Sequence, residues 1–172
     1  MQGDILPQAA RLRPPTRHRL ATLLPSATIV VETLTQALLR PMPKVAALFT
    51  RIQKRGAGDP FPDMHDWDAL EDAAALLADA KPDALIFNAG KGAAIGLAKD
   101  RELAARIRQK FGLPLTTPGL ALIRALHVLG VQKIAIAGPH EQSHNHSVSI
   151  GLAIVCIETV AEASLGLTDN LS

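Results

Sequence analysis

Short apolar runs in this chain alternate with segments whose apolar residues recur at helical spacing, and Gly, Pro, Ser or Thr marks most of the changes. Leu20 to Leu24 is an apolar run ending at Pro25-Ser26, and Ile29 to Leu39 follows Thr28 with a helical period. Lys44 to Arg51 is strand-capable, and Gln53 to Met64 reads as a long loop. Asp66 is placed to cap a helix through Trp67, Leu70, Ala73, Ala74 and Leu77 to Ala80, because its carboxylate can accept from the first free N–H groups. Pro82 leads into a buried strand, Ala84 to Phe87; a glycine-rich turn and the helix Asp100 to Phe111, stopped by Gly112, come next. A brief strand, Leu113 to Thr116, precedes a helix opened by Thr117-Pro118 and closed by Gly130. Lys133 to Ala137 reads as another buried strand, Pro139 to Ala153 as a helix, and Val155 to Val160 as a last strand. Such alternation predicts the α/β class and a doubly wound parallel sheet, a Rossmann or flavodoxin-like lobe.

The chain's 172 residues suit one domain with a substantial core. We expect a basic arm over residues 1–18, with Arg11, Arg13 and Arg17, and a single domain over 19–172. Apolar residues make up 48% of the chain, yet there are four Phe, one Trp and no Tyr, so the core must be aliphatic. The net charge of +2 and the scarcity of aromatics argue against nucleic acid as a partner. No apolar run approaches the roughly 20 residues needed to span a bilayer, and the arm lacks a signal-peptide core, so a soluble, cytoplasmic protein is expected. The single cysteine, Cys156, cannot form an internal disulfide; within Ile154-Val-Cys-Ile157 it reads as a small buried hydrophobe.

Four motifs could carry chemistry. The turn Gly90-Lys-Gly-Ala-Ala-Ile-Gly96 follows a buried strand and opens a helix, a place where backbone N–H groups cradle anions. It has one residue too many for a dinucleotide fingerprint and follows the third strand instead of the first. A carboxylate or phosphate cradle and a structural tight turn stay open, and Lys91 within it could pair with a carboxylate or act as an acid or base. His140-Glu-Gln-Ser-His144 matches the H-E-x-x-H pattern, in which His140 and His144 would hold zinc and Glu141 would serve as base. Pocket-lining or solvated histidines are the alternative reading. Pro25-Ser26-Ala27-Thr28 and Thr116-Thr117 place hydroxyls at the carboxyl ends of strands, suited equally to helix capping and to binding a carboxylate. Cys156 is the fourth.

In the order Leu24-Pro-Ser-Ala-Thr-Ile-Val-Val-Glu32, Thr116-Thr-Pro-Gly-Leu-Ala-Leu-Ile-Arg-Ala-Leu126, Leu129-Gly-Val-Gln-Lys-Ile-Ala-Ile-Ala-Gly-Pro-His140 and Leu165-Gly-Leu-Thr-Asp-Asn170, the chain resembles the maleate cis-trans isomerase and arylmalonate decarboxylase branch of the Asp/Glu racemase superfamily. The resemblance implies two similar α/β lobes with the site between them, no cofactor, and small dicarboxylic acids as substrates. It places Ser26 and Thr28 in the family's carboxylate-binding turn, with Thr28 where the isomerases have Asn. Ala89, followed by Gly90, stands at the first lobe's cysteine, His140 at a substrate-contacting tyrosine, and Asn145 and Asn170 at asparagines near the substrate carboxylate. Thr117 joins these as a hydroxyl facing the same crevice.

The decarboxylase branch also lacks the first cysteine and works with the second, which belongs to the other lobe; Cys156 lies too early to stand for it. On this resemblance the chain reads as a shortened member holding the first lobe and the start of the second. An isomerase or decarboxylase ancestry with impaired catalysis is therefore expected, with a silent carboxylate-binding domain and a zinc hydrolase as alternatives. Uncovered apolar surface from a missing lobe further predicts a homo-oligomer, a dimer or higher.

Overall fold

The computed structural model describes residues 17–53, 66–89 and 96–167. In chain order these form β1 (His18–Pro25), α1 (Val30–Leu39), β2 (Val45–Ile52), α2 (Trp67–Ala78), β3 (Ala84–Phe87), α3 (Leu97–Phe111) and β4 (Leu115–Thr116). They continue as α4 (Pro118–Val128), β5 (Lys133–Gly138), α5 (Gln142–Ala153) and β6 (Glu158–Ser164). Most of the basic arm and of the Gln53 to Met64 loop lies outside the described residues.

Every strand pair is parallel, as the alternation predicts. The strands divide between two sheets, one ordered β2-β1-β3-β4 and the other β5-β6. In the first, β1 is central: Leu23 pairs with Thr50 on one side and Phe87 on the other. Its residues Ala21 to Leu24 are all buried, as expected of a parallel strand covered on both faces. Leu70, Ala73, Ala74 and Leu77 of α2 share one helix face and pack with Leu103 and Ile107 of α3 against β1 and β3. A second core gathers Leu97 of α3, Ile123 and Leu126 of α4, Leu152 of α5 and Ile157.

The helix ends follow local chemistry. Asp66 accepts from the Ala69 N–H at 3.1 Å, and Gly112 and Gly130 sit at φ of 70° and 66°, where a side chain would be strained.

Four expectations are corrected. β5 is half-buried: Ile134 and Ile136 turn inward, while Lys133, Ala135 and Ala137 are exposed. A strand with one covered face alternates, and this two-stranded sheet presents its other face to solvent. The last strand begins at Glu158 because Val155 and Cys156 are spent on the turn, their N–H groups bonding back to Leu152 and Ala153 carbonyls. Cys156 is therefore exposed, at φ of 61°, and is not a buried hydrophobe. The helix expected from Pro139 starts instead at Gln142, since the Pro139 and His140 carbonyls accept from Leu167 and Gly166.

Two surface features stand out. α1 contributes no buried residue, and Ile29, Val30, Leu34 and Leu38 leave an apolar stripe along it. Glu71 on α2 receives Lys110 at 2.6 Å and Arg106 of α3, whose guanidinium also lies 4.5 Å from the Trp67 ring. Hydrogen bonds from Lys110 and then Arg106 hold the Glu71 carboxyl below the usual carboxylate range. A depressed carboxylate contributes stability above its unfolded-state pKa and loses it as pH falls through the folded one. Glu71→Gln is thus expected to flatten the acid limb of a urea stability curve and leave the curve's shape above neutrality unchanged. An acid limb as steep as wild type would show that this cluster does not matter for acid unfolding.

Candidate functional site

In the first sheet the chain steps from β1 to β2 on one side and then crosses to β3 on the other. The carboxyl ends of β1 and β3 therefore frame the switch point at which open α/β sheets hold ligands. Two turns meet there. After β1 comes Pro25 to Thr28, and after β3 come Asn88 and Ala89, with the Asn88 N–H bonded to the Leu23 carbonyl at 2.9 Å.

The first turn is tightly braced. Ser26 N–H bonds the Ile52 carbonyl at 2.8 Å and Thr28 N–H bonds the Pro25 carbonyl at 3.0 Å. Arg51 of β2 donates to the Ser26 and Thr28 carbonyls at 2.9 and 2.8 Å and pairs with Glu32 in the first turn of α1 at 2.9 Å. Ser26 is exposed and Thr28 half-buried. The N-cap of α1 is Ile29, one residue beyond Thr28, and it makes no side-chain cap bond.

Ala89 is half-buried and packs against the first core. Gly90 and Lys91 lie outside the described residues, as does Asn170.

Thr117 takes the capping role. Its hydroxyl oxygen accepts from Leu120 N–H at 3.2 Å, and the hydroxyl donates to the Asp100 carboxylate at 2.5 Å. Both residues are almost fully buried, Thr117 at 2% and Asp100 at 0% exposure. A hydroxyl has one proton, and here it is committed to Asp100. Asp100, in the first turn of α3, reads in the sequence only as a helix start; a buried acid seventeen positions from Thr117 has no local signature.

The remaining predicted residues cluster at the end of β5. Asn145 of α5 is buried and its amide donates to the Ala163 carbonyl of β6 at 2.8 Å, which fastens α5 to the small sheet. His140 lies in the loop before α5, and its carbonyl accepts from Ser164 Oγ and Gly166 N–H. The His140 and His144 rings sit 4.5 Å apart at 56°. Glu141 precedes α5 and is exposed, so the H-E-x-x-H residues do not share one helix. Among the described residues no three His, Cys, Asp or Glu side chains group to hold a metal. Cys156 belongs to the turn leading into β6, at the amino end of that strand, whereas the predicted site residues stand beyond carboxyl ends. No described helix is long and apolar enough to cross a membrane.

Comparison with solved structures reproduces this architecture. The maleate isomerase Iso from Pseudomonas putida S16, a Cys-to-Ala variant with maleate, superposes with a TM-score of 0.79 at 22% identity, covering 90% of this chain and 66% of that one. The Nocardia farcinica maleate cis-trans isomerase with a covalently bound succinylcysteine intermediate gives 0.76 at 19% identity over 89% and 65%. Unliganded arylmalonate decarboxylase gives 0.68 at 22% identity over 87% and 63%. The chain thus spans just under two thirds of these proteins' lengths. No curated protein matches it in sequence. The arylmalonate decarboxylase family model matches residues 68–170, more than half of the 172. With that match and the shared lobe architecture, the chain belongs to the arylmalonate decarboxylase family, in the branch of the Asp/Glu racemase superfamily that also holds the maleate isomerases.

Proposed function

We propose that this chain binds a small dicarboxylate at the switch point between β1 and β3, as a cofactor-independent isomerase- or decarboxylase-type protein whose turnover is impaired. The observation that carries this is the pairing of the Pro25 to Thr28 turn with the Asn88-Ala89 turn at adjacent strand ends. In this reading the braced turn receives one carboxylate, and Lys91 pairs with the substrate or exchanges a proton with it. His140 and Asn170 also serve the ligand, and Asn145 supports the second sheet by holding α5 to β6.

Impairment follows from the nucleophile. Addition to the maleate double bond, or protonation of a carbanion, calls for a thiol of suitable pKa. Ala89 offers a methyl group, and the sole cysteine sits at the far end of its strand. The proposal extends to self-association through the apolar stripe on α1 and to a cytoplasmic setting.

A thermal-shift titration of the 172-residue chain with maleate, phenylmalonate, phosphate and zinc tests the reading. A dicarboxylate present at about 100 times its Kd stabilises by about 2.7 kcal/mol. We expect a shift with maleate or phenylmalonate and none with phosphate at equal ionic strength, with little or no product by NMR. A zinc shift reversed by chelator would favour His140 and His144 as a metal pair and count against the dicarboxylate pocket. Light scattering on the same sample is expected to give a dimer or larger, and a clean monomer would remove the self-association.

A further inference from the structure

Arg51 lies next to the last residue of β2, paired in register with Leu24, and so stands beside the end of β1. One of its terminal nitrogens bonds both the Ser26 and Thr28 carbonyls, and the other takes Glu32. Each carbonyl belongs to a planar trans peptide whose N–H points the opposite way, and no cis peptide occurs among the described residues. The partners of those carbonyls are the N–H groups of Ala27 and Ile29, which have no hydrogen-bond acceptor among the described residues. The intervening N–H groups of Ser26 and Thr28 are already spent on Ile52 and Pro25. The turn therefore alternates: two amides bonded within the fold, and two held facing away from Arg51.

We propose that Arg51 is a positioning residue for the substrate-binding turn, gripping two carbonyls from behind so that the Ala27 and Ile29 amides stay aimed at a ligand carboxylate. This deepens the dicarboxylate reading above and rests on it. The planar guanidinium fork suits the task, because it serves three acceptors in fixed directions, whereas a lysine ammonium acts as a point charge. Glu32 completes the grip by holding the second guanidinium nitrogen against the first turn of α1.

The test compares wild type with Arg51→Met, Arg51→Lys and Glu32→Gln, using amide hydrogen exchange over residues 26–30 together with maleate titration. The Arg51 side chain is 36% exposed, and exposed pairs contribute little to global stability, so the melting temperatures should stay close. In R51M we expect faster exchange at Ser26 and Thr28, whose N–H groups are the bonded ones of the turn, and about tenfold weaker maleate binding, the scale of one charge-assisted contact. R51K should recover only part of either effect, and E32Q, which keeps a carbonyl acceptor, most of both. Unchanged exchange and affinity in R51M would overturn the role of Arg51. A wild type that shows no maleate or phenylmalonate shift would instead overturn the pocket reading, and the exchange data would still decide whether Arg51 holds the turn.

Discussion

Thr117→Val is expected to destabilise the chain by about 3 kcal/mol, although valine nearly matches threonine in shape. Two losses add. The α4 cap disappears, at about 1 kcal/mol, and the Asp100 carboxylate, fully buried, loses a hydroxyl donor at 2.5 Å, which for a charged group costs about 2 kcal/mol or more. No cavity forms, so packing does not confound the result. Urea unfolding measures it directly. Thr117→Ser should keep most of the stability, and Asp100→Asn should soften the effect of T117V when the two are combined, since the buried carboxylate that had lost its hydroxyl donor is then replaced by a neutral group. A T117V loss under 1 kcal/mol would mean that the hydroxyl does no more than cap α4.

Gly138→Ala is expected to cost about 2–3 kcal/mol through steric overlap. A methyl group built at Gly138 would lie 2.8 Å from Asn145 Oδ1. Asn145 is 1% exposed and its amide is bonded to the Ala163 carbonyl, so it cannot yield without breaking the tie between α5 and β6. The signature of this mechanism is non-additivity. N145A alone should destabilise by losing the amide bond, and the double variant should cost clearly less than the sum, because the overlap has then been removed. Additive losses would show that Gly138 is constrained by something other than Asn145.

Much of the fold is legible in the sequence where the determinant is local. Asp66 ahead of an apolar period, Gly112 and Gly130 after one, and Ala84 to Phe87 between Pro82 and a polar turn all resolve as read. Boundaries drift where backbone bonds reach beyond the segment: residues 165–167 hold the stretch ahead of α5, and Val155 and Cys156 spend strand-like residues on a turn. The division into two sheets is invisible to periodicity, because an Ile-Ala-Ile-Ala run serves a covered strand as well as a half-covered one.

At the site, the hydroxyls of Ser26, Thr28 and Thr117 are easily noticed, but what each one touches depends on the fold. Arg51 and Asp100 escape a linear reading altogether. An arginine closing a strand looks like a solvent-facing charge, and an acid in a first helical turn looks like a dipole partner; their real contacts lie 23 to 25 and 17 positions away.

Among the described residues, α3 alone supplies buried side chains to both cores, Leu97 to one and Leu103 and Ile107 to the other, with Asp100 between them. The helix is therefore a beam shared by two modules, and its bond to Thr117 is a rivet near its amino end. How far the molecule melts as one unit rests on that beam: shorten its grip on either side, and a single cooperative transition gives way to two.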